Sequence, residues 1–326
     1  MAGYVIGVDG GSTKSVGVLV DSTGRVVARA SGGATNYHVV GREALGRVLS
    51  DLVERLTAEA AVPVENVSWF CFALAGLWRD ADRRAVSAVL EPLAILDRTT
   101  LASDVEALIA AAEAAYTTKP SASSTECDGP VIAVIAGTGS VVLARSAAGR
   151  LHKVGGSGHL LDDDGSAWDL GISGLRALLE AADGRGPQTA LTCALLNAAG
   201  LRSVDDIVPW LYGLHEPKQT VARLAPVVVD AAARGDAVAK IIVEYGASEL
   251  ARWVAVAAQA IGASGEELVV VLSGGLLENS EPYRRLVETQ ITTELPGARF
   301  VGPKHEPAYG AALIALRDWK GRSGQE

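Results

Sequence analysis

Three glycine-rich segments and a handful of carboxylates carry the chemistry that this sequence can offer. Asp9-Gly10-Gly11-Ser12-Thr13-Lys14 lies between two apolar runs. Glycines at such a turn let the backbone approach a ligand, while successive N–H groups and the hydroxyls of Ser12 and Thr13 point inward, an arrangement suited to phosphate oxygens. Taken alone, the segment reads equally well as a tight hairpin whose glycines only supply left-handed dihedrals. Gly137-Thr138-Gly139-Ser140 repeats the placement later in the chain. Two such turns could clasp a polyphosphate from opposite sides, which makes the pair more specific than either member. A third pair, Gly274-Gly275, ends the run LVVVLSGG. Strand ends of this kind meet ligands in open α/β sheets, although an ordinary strand-to-helix turn explains the pair as well. Lys14 is a candidate phosphate contact, and an exposed turn lysine is the ordinary alternative.

Transfer of a phosphoryl group to a hydroxyl needs one positioned base, in-line geometry and neutralised phosphates. Asp104 follows the apolar strand ending LAS and opens a helix. On the residue pattern alone, the common job of an Asp there is to cap the helix. The run Asp162-Asp163-Asp164 is more telling, because three adjacent acids repel one another and a helix start needs only one cap. Asp164 is the candidate cap for a helix from Ser166 and Asp162 is read as solvated, while the pattern alone leaves the role of Asp163 open. A polyhydroxyl substrate is read by side-chain and backbone hydrogen bonds rather than by an apolar pocket. Asn36, Gly76, Gly155, Gly156 and Asp163 are the candidates for that role. A turn asparagine that satisfies its own backbone is the plain alternative for Asn36, and His159 is read as a structural hydrogen-bonder.

The elements that must position these residues come in two sets. Short apolar segments at 4–9, 15–21 and 26–30 read as three strands with tight connections. Leu45, Val48, Leu49, Leu52, Val53 and Leu56 place one apolar stripe on an amphipathic helix. A strand at 67–74, a helix near 80–90, a strand at 96–102 and an alanine-rich helix at 104–115 complete the order βββαβαβα. The stretch 117–129, TTKPSASSTECDG, reads as an exposed loop or linker. Beyond it the pattern restarts with strands at 131–135, 141–145 and 150–154. A long helical block follows from about 166 to 263, then a strand at 268–272 and a terminal helix near 307–319. Two copies of a strand-rich unit, each opening on a glycine turn, indicate a duplicated α/β protein with a cleft between the copies. The expected domains are 1–118 and 119–326, the second enlarged by a helical insertion and its last helix free to pack back on the first.

Composition narrows the classes. A chain of 326 residues with 49% apolar content fills one large or two ordinary cores and excludes a disordered or fibrous protein. Its longest apolar runs fall short of the roughly 20 residues that a membrane span needs, so no membrane partner is expected. Residues 1–9 read as a first strand and not as a signal peptide. Three cysteines, Cys71, Cys127 and Cys193, have no CxxC pairing and indicate neither a disulfide framework nor a structural zinc. A reducing cytoplasm is the expected compartment. The net charge of −9 comes without a basic run, which leaves no footprint for nucleic acid.

The ordered set DGGSTK, GGATNYHVVG, FALAG, Asp104, AGTGS and GGSGHLLDDDGSAWDLG resembles the N-acetylglucosamine kinase family and its BadF/BadG-type ATPase relatives over almost the whole chain. The resemblance implies an α/β fold of the duplicated RNase H-like, actin/hexokinase-like type, with ATP and a sugar in the interdomain cleft. It implies Asp104 as catalytic base, Asn36 and Asp163 as sugar contacts beside Gly76, Gly155 and Gly156, and the turns at Gly10, Gly11, Ser12, Thr13, Lys14 and at Gly137, Thr138, Gly139, Ser140 as phosphate cradles. Gly274 and Gly275 fall to the adenosine, Asp9 to Mg²⁺ through water, and ATP with Mg²⁺ to the cofactors. The substrate it implies is N-acetylglucosamine, phosphorylated at the 6-hydroxyl. One departure bears on this: the animal-type kinases carry a tryptophan after the paired glycines, whereas this chain has Ser157. Glucosamine and N-acetylmuramic acid therefore stay open as substrates. From other classes, a BadF-type activator would need cluster-binding cysteines, and a sugar-responsive regulator would want a helix-turn-helix and a basic face. Apolar helix faces between 203 and 263 leave a homodimer open.

Overall fold

The computed structural model describes residues 3–116, 129–264, 266, 268–302 and 305–323. Most of the polar stretch read as a linker, including Cys127, lies outside these residues. The chain divides into two compact units, one from residues 1–128 with 303–326 and the other from 129–302.

In the first unit, β1 (Tyr4–Gly10), β2 (Ser15–Asp21) and β3 (Val26–Gly32) form an antiparallel meander, and α1 (Tyr37–Ala60) follows. Then come β4 (Val67–Leu74), α2 (Asp80–Leu90), β5 (Thr99–Ala102) and α3 (Asp104–Tyr116). The sheet order is β3-β2-β1-β4-β5, with β4 and β5 parallel to β1. Alternation along β1 divides the unit into two buried layers, as a sheet covered on both faces requires. Ile6 and Val8 face Leu45, Leu49, Leu52 and Leu56 of α1, the stripe legible in the sequence, together with Phe70 and Phe72. Val5 faces the other way, with Trp69, Cys71 and the alanines Ala308, Ala311, Ala312 and Ala315. Those alanines come from the far end of the chain, where the last helix belongs to this unit.

Two details depart from the sequence reading. Only Thr99–Ala102 of the strand expected at 96–102 is extended, because Leu96–Arg98 form a 3-10 turn. The Thr99 hydroxyl donates back to the Ile95 carbonyl at 2.7 Å and Arg98 donates to the Val67 carbonyl at 2.7 Å, so the segment's polar groups favour the turn. The first helix begins at Tyr37, ahead of its apolar stripe, and breaks at Gly41, whose φ of 78° no helix accommodates.

The second unit repeats the topology. It opens with β6 (Val131–Ala136), β7 (Ser140–Arg145) and β8 (Leu151–Gly155), again an antiparallel meander. The helical block resolves into α4 (Ala167–Asp183), α5 (Leu191–Ala199), α6 (Ile207–Tyr212), α7 (Pro217–Ala222), α8 (Ala225–Ala233) and α9 (Ala237–Ile261). After it come β9 (Val269–Ser273), α10 (Gly275–Asn279), α11 (Glu281–Glu294) and β10 (Arg299–Val301). The order β10-β9-β6-β7-β8 is that of the first sheet, with β9 and β10 parallel to β6. The edge strand β10 has only three residues, too few to leave a periodic signal in the sequence. One large core runs from Ile132, Val134 and Val270 on the sheet to Leu170, Leu178, Leu250 and Val254 on the helices. The last helix, α12 (Pro307–Ser323), returns to the first unit and packs on β1, β4 and α3.

Candidate active site

Each unit gathers its share of the singled-out residues at the carboxyl ends of its parallel strands, the edge where α/β sheets meet ligands. In the first unit the pairing register sets Asp9 beside Ala73 and Ala73 beside Ala102. The glycine turn after Asp9, the corner at Gly76 and the helix opening at Asp104 therefore lie along one edge. Hydrogen bonds close this arrangement. The Gly11 N–H donates to the Lys14 carbonyl at 2.9 Å, the Thr35 N–H to the Gly11 carbonyl at 2.9 Å, and the Ala75 N–H to the Gly10 carbonyl at 2.7 Å. Ser12, Thr13 and Lys14 stay at least partly open to solvent.

Asn36 caps α1 by accepting from the His38 N–H at 3.1 Å, while its amide donates to the Ser12 hydroxyl at 3.3 Å. It thus does the local backbone job and also ties the helix to the glycine turn. Gly76, at φ 82°, stands against both Asn36 and His38, where a Cβ would come within 3.2 Å of each. Capping of α3 falls to Ser103 and Glu106: the Glu106 carboxylate accepts from the Ser103 N–H at 2.7 Å, and the Ser103 hydroxyl accepts from the Glu106 N–H at 3.3 Å. Asp104 is therefore not the residue that caps this helix.

Burial, and then the charge of Asp104, push the Asp9 carboxyl up to about 7; Glu306 adds to the shift and Lys14 opposes it. A carboxyl that resists ionisation on its own, as Asp9 does, is an oxygen donor suited to a hard cation. Asp9, with Asp104 close enough to act on its charge, is the residue whose chemistry would fit a magnesium ion bound here.

Four participants in this half were not legible in the sequence. Thr35 is buried with its hydroxyl unpartnered, and it fills the space a Cβ on Gly10 would need. His38 and Tyr37 both reach the buried Asp82, at 3.1 Å and 2.5 Å. Burial works against ionised Asp82, but the Tyr37 hydroxyl, the Arg79 N–H and His38 outweigh it and hold its carboxyl below the usual range. Asp82 is separated from Tyr37 by 45 residues, so nothing in the sequence joins them.

In the second unit, Gly137 abuts Gly274 and Gly275, so that the two glycine motifs meet at one strand edge. The Gly274 N–H and the Ser273 hydroxyl both donate to Glu278, at 3.0 Å and 2.6 Å. Thr138 is half-buried at the tip of the turn. Gly155 and Gly156, both left-handed, accept from the Lys153 ammonium at 2.7 Å and 3.2 Å. Asp163 is buried and seated directly on the turn: it accepts from the Ser140 N–H at 3.0 Å and from Lys218 at 2.8 Å. The Ser140 hydroxyl donates to the Asp164 carbonyl at 2.7 Å, so both Ser140 donors are engaged within the protein. Asp164 does not cap the helix that follows. Ser166 does, accepting from the Asp169 N–H at 3.2 Å. The far end of this loop is fixed where the Tyr283 hydroxyl donates to the Gly165 carbonyl at 2.9 Å. His159 stacks edge-on against Trp168, with ring centroids 4.8 Å apart.

Of the cysteines, Cys71 is buried in β4 and Cys193 is exposed on α5. Among the described residues no helix is long and apolar enough to cross a membrane, and no cluster of three or more His, Cys, Asp or Glu side chains is arranged to hold a metal by itself.

Two α/β units of equal topology, each with a glycine turn at the carboxyl edge of its sheet, define an ATPase fold of the actin/hexokinase-like class. The chain belongs to the BadF/BadG/BcrA/BcrD ATPase family, whose model matches residues 6–315. It is 30% identical over 327 residues to an N-acetyl-D-glucosamine kinase of Dictyostelium discoideum, covering 97% of this chain and 98% of that one. It is 28% identical over 312 residues to an N-acetylmuramic acid/N-acetylglucosamine kinase of Clostridium acetobutylicum, with 96% and 98% covered. Among solved structures, a proposed N-acetylglucosamine kinase from Chromobacterium violaceum superposes with a TM-score of 0.73 at 28% identity, again over 96% and 98% of the two chains.

Proposed function

We propose that the protein is an ATP-dependent amino-sugar kinase that transfers the γ-phosphoryl group to the 6-hydroxyl of N-acetylglucosamine, with Asp104 as general base. Full-length similarity to kinases named for that sugar supports the reaction class. The observation that carries the residue assignment is the row of Asp9, the Gly10–Lys14 turn, the Asn36–Gly76 corner and Asp104 along one strand edge, with helix capping left to Ser103 and Glu106.

In this reading Asn36, Gly76, Gly155, Gly156 and Asp163 hold the sugar. Gly10, Gly11, Ser12, Thr13 and Lys14 hold phosphate oxygens, as do Gly137, Thr138 and Gly139; Ser140, expected to join them, instead spends both its donors on the 163–164 segment, while Gly274 and Gly275 border the adenosine. Asp104 accepts the proton of the sugar hydroxyl as its oxygen bonds to the γ-phosphorus, and the bond from that phosphorus to the bridging oxygen of ADP breaks. Magnesium, bound with the nucleotide beside Asp9, supplies charge neutralisation at the β and γ phosphates. Residues that exclude water from the site would limit wasteful hydrolysis of ATP.

Ser157 at the tryptophan position of the animal-type enzymes, together with the dual naming of the Clostridium relative, keeps N-acetylmuramic acid and glucosamine as alternative substrates. A cytoplasmic location and a homodimer belong to the same proposal, the latter supported by exposed Ile241, Tyr245 and Val256 on α9. A cluster-bearing activator is disfavoured because Cys71 is buried in β4, Cys193 lies on α5 and Cys127 falls in the polar stretch 117–129, so that none belongs to the glycine-rich segment after the second turn.

The test is coupled ADP release with Mg-ATP against N-acetylglucosamine, glucosamine, N-acetylmuramic acid, N-acetylmannosamine and glucose, run beside Asp104→Asn. Turnover with one amino sugar that Asp104→Asn removes while ATP still binds upholds the reading and names the substrate. Silence with every sugar from the intact protein ends it.

A further inference from the structure

The Asp163 carboxylate lies 3% exposed, on a residue whose φ of 74° places a non-glycine backbone in the left-handed region. Such a conformation persists only where its surroundings over-determine it. Two contacts do so. One is the Ser140 N–H of the glycine turn, and the other is the ammonium of Lys218, 55 residues further along the chain and itself only 27% exposed. On the turn side the fit is close: a Cβ on Gly139 would stand 2.7 Å and 2.9 Å from the two carboxylate oxygens.

Lys218 reaches this position by helix packing. Pro217 opens α7, its fixed φ suited to a first helical residue. The helix then presses on α4 at Gly171, where a Cβ would lie 2.3 Å from the Val221 carbonyl oxygen. A glycine in α4 thus sets how far Lys218 extends toward Asp163. A buried carboxylate that loses its cationic partner is left with uncompensated charge and repacks or draws in water. Each carboxylate oxygen has a second lone pair, so Asp163 can hold its two internal donors and still accept from a sugar hydroxyl.

We propose that Lys218 is a positioning residue: through its ion pair with Asp163 it fixes, in one geometry, the carboxylate that joins the sugar loop to the Gly137–Ser140 turn. The proposal rests on the kinase reading above. Lys218 itself needs no contact with substrate, and its role is to keep Asp163 seated on Ser140 with a fixed outward lone pair.

Lys218→Met tests it with the intact enzyme. The expected result is a sugar KM raised about 10- to 100-fold, the scale on which partners that orient a ligating group act, with a smaller change in kcat and a lowered melting temperature, since a buried acid loses its partner. Amide exchange at Ser140 should quicken, because its acceptor is no longer held. Lys218→Arg, which keeps a cation, should recover a good part of the KM. In an Asp163→Asn background, Lys218→Met should add little, since the two residues act as one unit. If Lys218→Met does not fold, Lys218→Gln, one atom shorter, keeps a donor without the charge and is read in the same way. Turnover by the wild type with an unchanged sugar KM in the folded Lys218 variant overturns the proposal alone. No turnover by the wild type with any sugar brings down the kinase reading instead, and exchange at Ser140 still decides whether Lys218 pins Asp163.

Discussion

The two glycine turns sit at equivalent places in two sheets of the same order, yet their donors are used differently. In the first turn Ser12, Thr13 and Lys14 stay open, the neighbouring, partly buried carboxyl of Asp9 is pushed up to about 7 chiefly by desolvation, and a Thr35 hydroxyl is left without a partner. In the second turn the Ser140 N–H and hydroxyl are both taken by the 163–164 segment, and a lysine from the helical insertion locks the carboxylate that takes them. The first is held ready for charge that arrives with a ligand. The second is pre-assembled by residues that the first unit has no counterpart for. Duplication fixes where a turn lies, and what is inserted between the strands decides what its donors face.

The largest effect separating the halves should come from Asp104→Asn, which removes the proposed base from the first unit while the capping by Ser103 and Glu106 remains. A loss of kcat of about 10²- to 10⁴-fold is expected, with ATP affinity retained by calorimetry. A variant with more than a tenth of wild-type kcat would move the base elsewhere.

Gly139→Ala probes the second turn. The added methyl meets the Asp163 carboxylate, and overpacking of this kind costs about 1–3 kcal/mol. A rise in sugar KM together with a lower melting temperature is expected, and an unchanged KM would show that the seat of Asp163 on the turn is dispensable.

Asp9 gives the first turn a pH signature of its own. Its carboxyl moves from 3.8 to about 7 on folding, so between those values the folded state holds the proton that the unfolded state has released. Asp9 therefore contributes less stability as pH rises through this window and nothing further changes above it. Asp9→Asn removes the effect, and the gap in melting temperature between variant and ligand-free wild type should be larger at pH 8 than at pH 5. An equal gap at both values would show that Asp9 is ionised at pH 5.

The smallest expected effect is that of Thr35→Val, which replaces an unpartnered buried hydroxyl by a methyl of the same shape. The ligand-free protein should gain up to about 1 kcal/mol by denaturant titration, whereas a loss would reveal a partner for that hydroxyl.

Much of this was legible from residue types. Leu45, Leu49, Leu52 and Leu56 announced a helix on a sheet, the glycine turns announced both strand edges, and the acid run at 162–164 stood out from an ordinary capping pattern, whereas Asp104 reads as a plain cap without the family resemblance. Lys218 gave no signal, because a lone lysine in the first turn of a short helix is ordinarily exposed until helix packing at Gly171 carries it to a buried acid. His38, Tyr37 and Asp82 were hidden for the same reason: their shared carboxylate lies two elements away in the chain. The 3-10 turn at Leu96–Arg98 escaped because hydrogen bonds to Ile95 and Val67 outweigh a weak strand propensity.

By itself the sequence determined the duplicated α/β pattern, the two turns and the acids available for chemistry, since apolar periodicity and glycine placement are local properties that the chain carries wherever it folds. Only the tertiary structure decided which donors are already engaged, which carboxylate resists ionisation and which distant lysine holds another acid in place. Those are consequences of burial and of contacts between residues far apart in sequence, which exist only once the sheets and helices have packed.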